Sequence, residues 1–334
     1  MPDGALHLVN FASLPTGQSS YLLETGPRIH YLSTERNLVA VGEPRKEGVG
    51  LLAIGKPAFE ETSLFAALRP QKEEAEKAAP VFLAAATRFR GLRSACDNFQ
   101  SLQFEPLWAS AREAGDVSAL WSRPGGMRSA ESNVVQLTGA AASESAFKQQ
   151  AEGKRVLHLA THGFFLGGKC ASALDASHRS SGNAVSSPGE NPLLLSGLAL
   201  AGANHRQSAG PDEEDGILTA EEIAAMDLSG VEWAVLSACD TGVGELRAGE
   251  GVLGLRRAFQ IAGARTLIMS LWPVEDHATR DWMRQLYRAR LVLGLTTIDA
   301  VHQANLNTLR QRRQKGQTTH PFYWAGFVAA GDWR

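Results

Sequence analysis

Two residues in this sequence have side chains suited to covalent catalysis and stand where a fold can use them: Cys239 and His162. Cys239 closes an apolar run rich in β-formers, Val231 to Ala238, and a Gly-rich turn and a helical pattern follow it. His162 follows a second apolar run, Val156 to Ala160, and precedes Gly163. Strands of one parallel sheet deliver their carboxyl ends to a common edge, where open α/β sheets hold ligands. A thiol is partly ionised near neutral pH and strongly nucleophilic, so Cys239 can attack a carbonyl with modest help. His162 can accept that proton and protonate the departing amine. Backbone N–H groups of Gly163 and Cys239 can face the developing oxyanion, because glycine lets the chain bend and approach closely. Singly, a packed cysteine or a hydrogen-bonded core histidine is the ordinary explanation. The pair carries the reading.

Competing motifs fall away on chemical grounds. Gly249 to Gly254 spells a dinucleotide fingerprint, yet it does not directly follow a strand, and Glu250 puts negative charge where a pyrophosphate would sit. His158 and His162 have the spacing of a metal pair on a helix, but the stretch reads as strand and no further ligands complete a shell. There is no GxSxG elbow and no phosphate-binding GxxxxGK[ST] loop. No cofactor and no metal site is therefore expected. The acids and His277 in SLWPVEDHATRDW read as helix capping.

The elements that must position the pair follow from the pattern. With 334 residues, 44% hydrophobic and 20% charged, the chain has material for a large core. Its 33 basic and 35 acidic residues give no net pull toward nucleic acid or an anionic membrane surface. The three cysteines, Cys96, Cys170 and Cys239, form no CxxC pair and suit a reducing compartment. Without a signal-peptide pattern or a membrane-length apolar run, a cytoplasmic location is expected.

LHLV, SYLLE, RIHYLS and NLVAVG read as early strands, and Leu51 to Ile54 as a buried one. MPDG runs almost directly into the first of them, which implies a trimmed start or an upstream element supplied elsewhere. Residues 59–79 read as a charged helix or lid, PLWASAREAGDVSALW as an amphipathic helix, and RFRGLR as a solvated face. Val134 to Leu137 reads as strand, and Ser143 as the cap of the next helix. Residues 166–190, dense in Gly, Ser, Ala and Pro, read as a flexible loop. LLLSGLALAG resumes a strand, and Thr219 with Glu222 makes a capping box. After Cys239, Val252, Leu255, Phe259 and Ala262 fall on one helical face. The rest reads as a strand at RTLIMSLW, helices from about Glu275 and Thr297, and a last strand at YWAGFVAAG. Alternation of strand and helix from about residue 134 predicts an α/β fold, with a mainly parallel central sheet flanked by helices.

ATHGFF at 160–165, LLLSGLALAGAN at 193–204, DGILTAEEIAAMDLSG at 215–230, LSACDTGVGELRAGEGVLGLRRAF at 236–259, SLWPVEDHAT at 270–279 and HPFYWAGFVAAGD at 320–332 together resemble the CHAT domain. This is a caspase-like peptidase family often fused to tetratricopeptide repeats and related to separases, caspases and gingipains. Asn10 stands where the family usually has proline. The resemblance implies a caspase-haemoglobinase-like three-layer fold over 1–334. An N-terminal half, 1–133, carries early strands and a helical insert, and 134–334 carries the dyad. His162 matches the histidine of the family's THG motif, Cys239 the cysteine of its SAC motif, and Gly163 the oxyanion-hole residue. The implied activity is a cysteine endopeptidase acting on a protein or peptide substrate, in bacterial defence or programmed cell death. Control by a repeat domain or an associated complex, with no direct nucleic-acid or membrane partner, goes with it. A non-catalytic interaction module on the same fold is the alternative. Ser237, Asp240 and Glu250 are the candidates for substrate binding, with a slight preference for a basic residue before the scissile bond. Self-cleavage in 166–190, at Lys169 or Arg179, would be a route to activation.

Overall fold

Leu51, Leu52, Ala53 and Ile54 are all buried, and so are Leu157, Leu159, Ala234, Val235, Leu267 and Ile268. Runs without polar alternation can be satisfied only in strands covered on both faces, and that requirement sets the architecture. A computed structural model describes residues 9–32, 38, 46–66, 89–90, 102–123, 133–165, 193, 196–237, 246–247, 251–252 and 254–334. In chain order the strands are β1 (Leu51–Pro57), β2 (Phe89–Arg90), β3 (Val134–Gly139), β4 (Val156–Ala160), β5 (His162–Phe165), β6 (Ser196–Ala199), β7 (Ile217–Thr219), β8 (Trp233–Leu236), β9 (Leu246–Arg247), β10 (Gly251–Val252), β11 (Thr266–Ser270), β12 (Val274–Glu275) and β13 (Phe327–Gly331). The α-helices are α1 (Leu22–Thr25), α2 (Trp108–Trp121), α3 (Glu144–Ala151), α4 (Ala220–Ala224), α5 (Leu255–Ile261), α6 (Asp276–Leu291) and α7 (Thr297–Gln314).

Six strands form the central sheet in the order β13-β11-β8-β4-β1-β3. Every neighbouring pair is parallel except β11 with β13. Successive residues face opposite sides of each strand. Leu52, Ile54, Leu157, Leu159, Ala234, Leu236, Leu267 and Met269 therefore meet Phe147 of α3, Ile223 of α4 and Phe259 of α5. Leu51, Ala53, Val156, Trp233, Val235 and Ile268 meet Val117 and Trp121 of α2, Met283 and Leu286 of α6 and Ala300 of α7. The result is the mainly parallel sheet between two helical layers that the sequence predicts.

Helix starts are legible in the caps. Ser143 Oγ accepts from Ala146 N, Thr219 and Glu222 close a capping box, Glu275 accepts from His277 N and Ala278 N, and Thr296 accepts from Asp299 N. The acids of SLWPVEDHATRDW do cap a helix, as expected.

Several expectations need correction. SYLLE is not a strand: Glu24 accepts from Tyr21 N at 3.1 Å and pairs with Arg313, turning Leu22–Thr25 into one short helix. RIHYLS contributes only a bridge, Tyr31 beside Ala330 on β13. Residues 59–65 form turns and irregular backbone rather than α-helix, anchored by buried Phe59 and Phe65; residues 67–79 lie outside the described residues. Leu6 to Leu8 of LHLV, the loop 166–190 and all of NLVAVG but Leu38 also lie outside them, and Leu38 is helical rather than strand. RFRGLR supplies β2, whose backbone pairs antiparallel with β12. Val252 belongs to β10 and not to the helix, because Gly254 at φ +122° interrupts helical backbone just before α5. LLLSGLALAG does form a strand, β6, but in a separate antiparallel sheet, β5-β6-β7.

This packing makes two positions sensitive. At Gly55 an added Cβ would lie 2.2 Å from the Ser110 backbone oxygen, because α2 rests directly on β1. Gly55→Ala should cost about 1–3 kcal/mol in urea unfolding, as other overpacking changes do. The second position is His30, whose Nε2 donates to Gly331 O at 2.9 Å beside the edge of the sheet. Burial, against the opposing pull of that carbonyl, lowers its pKa from 6.5 to about 4. Below pH 6.5 the unfolded chain takes up a proton that the folded chain refuses. The His30 contribution is therefore intact above pH 6.5 and is lost as pH falls toward 4, by up to about 3 kcal/mol. Unfolding measured at pH 7.5 and 5.0 should show a smaller loss of stability in His30→Gln than in wild type.

Candidate active site

His162 stands two residues beyond the carboxyl end of β4, and β4 lies between β8 and β1 in the sheet. The pairing Val156↔Trp233 to Leu159↔Leu236 brings the carboxyl ends of β4 and β8 level, and Ser237 N continues it by donating to Leu159 O at 2.9 Å. Thr161 makes the change of direction after β4 by donating its hydroxyl to Ala199 O. His162 therefore does not simply end a strand; it opens β5, opposite Ala199 of β6.

The imidazole is buried and held on three sides. Its Nε2 donates to the backbone oxygen of Glu105 at 2.7 Å. Phe59 and Phe104 flank it, with ring centroids at 5.3 and 5.9 Å. Asn204 ties those two walls together. Its Oδ1 accepts from Phe104 N at 2.8 Å, its Nδ2 donates to Phe104 O, and its backbone N donates to Phe59 O. A carbonyl can only accept, so the proton of a neutral His162 ring resides on Nε2 and Nδ1 carries the lone pair.

The other candidates fall as follows. Gly163 is buried in β5, opposite Leu198. Ser237 is fully buried just past the end of β8. Cys239, Asp240 and Glu250 lie outside the described residues. Sequence reasoning misses Glu105, Phe59, Phe104 and Asn204. Asn204 is within its reach, since it ends the LLLSGLALAGAN motif; a backbone carbonyl has no sequence signature at all.

His158, the other histidine of the rejected metal pair, lies within the sheet. Its Nδ1 is 3.2 Å from Tyr287 Oη and its Nε2 is 3.1 Å from Glu113 Oε1, all three residues buried. Burial first, and the Glu113 charge second, push the Tyr287 phenol well above its ordinary pKa. Carboxylate oxygens of Glu144, Glu214 and Glu222 lie within 4.8 Å of one another. The Lys148 ammonium already sits among them, at 2.8, 2.7 and 2.9 Å. Burial first, and the neighbouring Glu222 second, push the Glu144 carboxyl well above the usual carboxylate range. Among the described helices, none is long and apolar enough to cross a membrane.

Residues 1–332 match the family described as the CHAT domain. The chain is also similar to Tetratricopeptide repeat protein 28 of Homo sapiens, 30% identical over 122 residues, and of Mus musculus, 31% identical over 116 residues. The aligned parts make up 36% and 35% of this chain but only 5% and 4% of those proteins, so the chain spans a small share of the curated relatives it matches. Matched over nearly its whole length, the chain belongs to the CHAT-domain family.

Proposed function

We propose that this domain is a cysteine endopeptidase that hydrolyses peptide bonds through Cys239 and His162. The observation that carries the reading is the hydrogen bond from His162 Nε2 to Glu105 O, made at the tip of the strand beside β8. It fixes the tautomer whose Nδ1 can exchange a proton, and β8 ends three residues before Cys239 in the sequence.

In this mechanism the Cys239 sulfur attacks the scissile carbonyl, and the thiol proton passes to His162 Nδ1. The resulting imidazolium is stabilised by the Glu105 oxygen, which accepts from the opposite side of the ring. Backbone N–H groups of Gly163 and Cys239 receive the oxyanion, a role worth about 3–4 kcal/mol per donor in comparable sites. The carbon–nitrogen bond then breaks, Nδ1 protonates the leaving amine, and a thioester joins the acyl half to Cys239. Water, deprotonated by Nδ1, hydrolyses the thioester and restores the thiol.

Ser237, Asp240 and Glu250 are proposed to line the site for the residue before the scissile bond, with a basic residue slightly preferred. Control by a tetratricopeptide-type repeat or an associated complex, action in defence or cell death, and a cytoplasmic location belong to the same proposal. They rest on the family resemblance and on the repeat name carried by the mammalian relatives.

Two measurements test this function. Incubated with a broad protein mixture, Cys239→Ala should lose cleavage to background while keeping the wild-type unfolding transition, and His162→Ala should lose about 100- to 10,000-fold. Cleavage that persists in Cys239→Ala would assign the activity elsewhere, and a wild type that cuts nothing would favour the interaction module. Nitrogen-15 imidazole spectra of the resting protein at pH 7.5 should show His162 protonated on Nε2. The Nδ1–H tautomer would contradict the proton path.

A further inference from the structure

β1 flanks β4 on the side away from β8, so the carboxyl end of β1 borders His162 opposite the strand that leads to Cys239. Its register with β3 slips between Gly55 and Pro57. At that slip Lys56 adopts φ +48°, the only non-glycine residue with positive φ among the described residues. A long side chain seldom occupies this conformation without compensation elsewhere. Here the Lys56 backbone N donates to Ser110 Oγ at 2.8 Å, and the Ser110 hydroxyl donates to Leu107 O. The Lys56 ammonium is carried over the ring of Trp108, 4.1 Å from its centroid. Trp108 itself is 56% exposed, unusual for so large an apolar ring, and stands three residues after the Glu105 carbonyl that holds His162. Glu60, the nearby acid on the loop after β1, is engaged with His205 and Asn204.

From this placement we infer that Lys56 and Trp108 form a recognition platform for the leaving half of the substrate, favouring an acidic side chain within the first three residues after the scissile bond. The inference rests on the peptidase reading above. A peptide crossing the strand tips with its acyl half at β8 and its amine at His162 continues toward β1. There it meets a cation held on an indole face. The ammonium keeps its hydrogen-bond donors for a carboxylate, while the exposed ring offers apolar surface to the peptide's backbone and methylenes. Lys56 is half-buried, where Leu51 to Gly55 before it are buried, and its ammonium stands over the exposed Trp108 ring.

The test is cleavage of a proteome-derived peptide library, with cut sites mapped by mass spectrometry for wild type, Lys56→Asn and Lys56→Arg. Asparagine tolerates the left-handed backbone but lacks the charge, and arginine keeps the charge. Wild type and Lys56→Arg should show Asp and Glu enriched after the cut. Lys56→Asn should lose the enrichment, and its kcat/KM on acidic-tailed peptides should fall about two- to fivefold, with peptides carrying neutral tails unaffected. Cleavage with no acidic preference, or with a basic preference set by the exposed Glu105, overturns this inference and leaves the peptidase reading standing. A wild type that cuts no peptide refutes the peptidase reading and this inference with it.

Discussion

The parallel pairing of β4 with β8 is the constraint on which the rest depends. Both strands are buried on both faces, so their backbone groups must bond to neighbouring strands, and the register cannot slip by one residue without exchanging the apolar sets of the two faces. That register brings the two carboxyl ends level. His162, two residues beyond β4, takes its place at the sheet edge from this ladder.

The second requirement is that His162 hold one orientation. It is met by structure remote in sequence. Glu105 supplies a carbonyl, Phe59 and Phe104 supply walls, and Asn204 binds the backbones of both walls. The walls come from the segments after β1 and before α2, while Asn204 follows β6. The antiparallel sheet β5-β6-β7, which begins at His162 itself, thus helps to orient the ring at the edge of the central sheet.

The sequence reveals what is repetitive and conceals what is particular. Buried runs such as Leu51 to Ile54 and Thr266 to Ser270, and caps such as Ser143 and Thr219, are dictated locally, so the six-stranded sheet and its helices are legible. SYLLE misleads because a short apolar run between turn residues also fits a strand, whereas Glu24 bonds back to Tyr21. Val252 misleads because its helical spacing from Leu255 takes no account of Gly254, whose backbone stops the helix. In the site, His162 announces itself by its strand-end position followed by glycine. The Glu105 carbonyl does not, because a main-chain acceptor is defined only by the fold that aims it. Lys56 is silent for the same reason: its conformation arises from a register slip between two strands.

The proposed mechanism requires the Cys239 thiol and the His162 imidazole to open on one cleft. The most direct test is a crystal structure of the protein with Cys239 alkylated by a peptide-derived thiol trap. The trapped sulfur and His162 Nδ1 should open on the same cleft, within roughly two strand spacings or about 10 Å of each other. His162 Nε2 should still be donating to Glu105 O. A sulfur lying on the opposite side of the sheet edge, or walled off from the histidine, would contradict the claim.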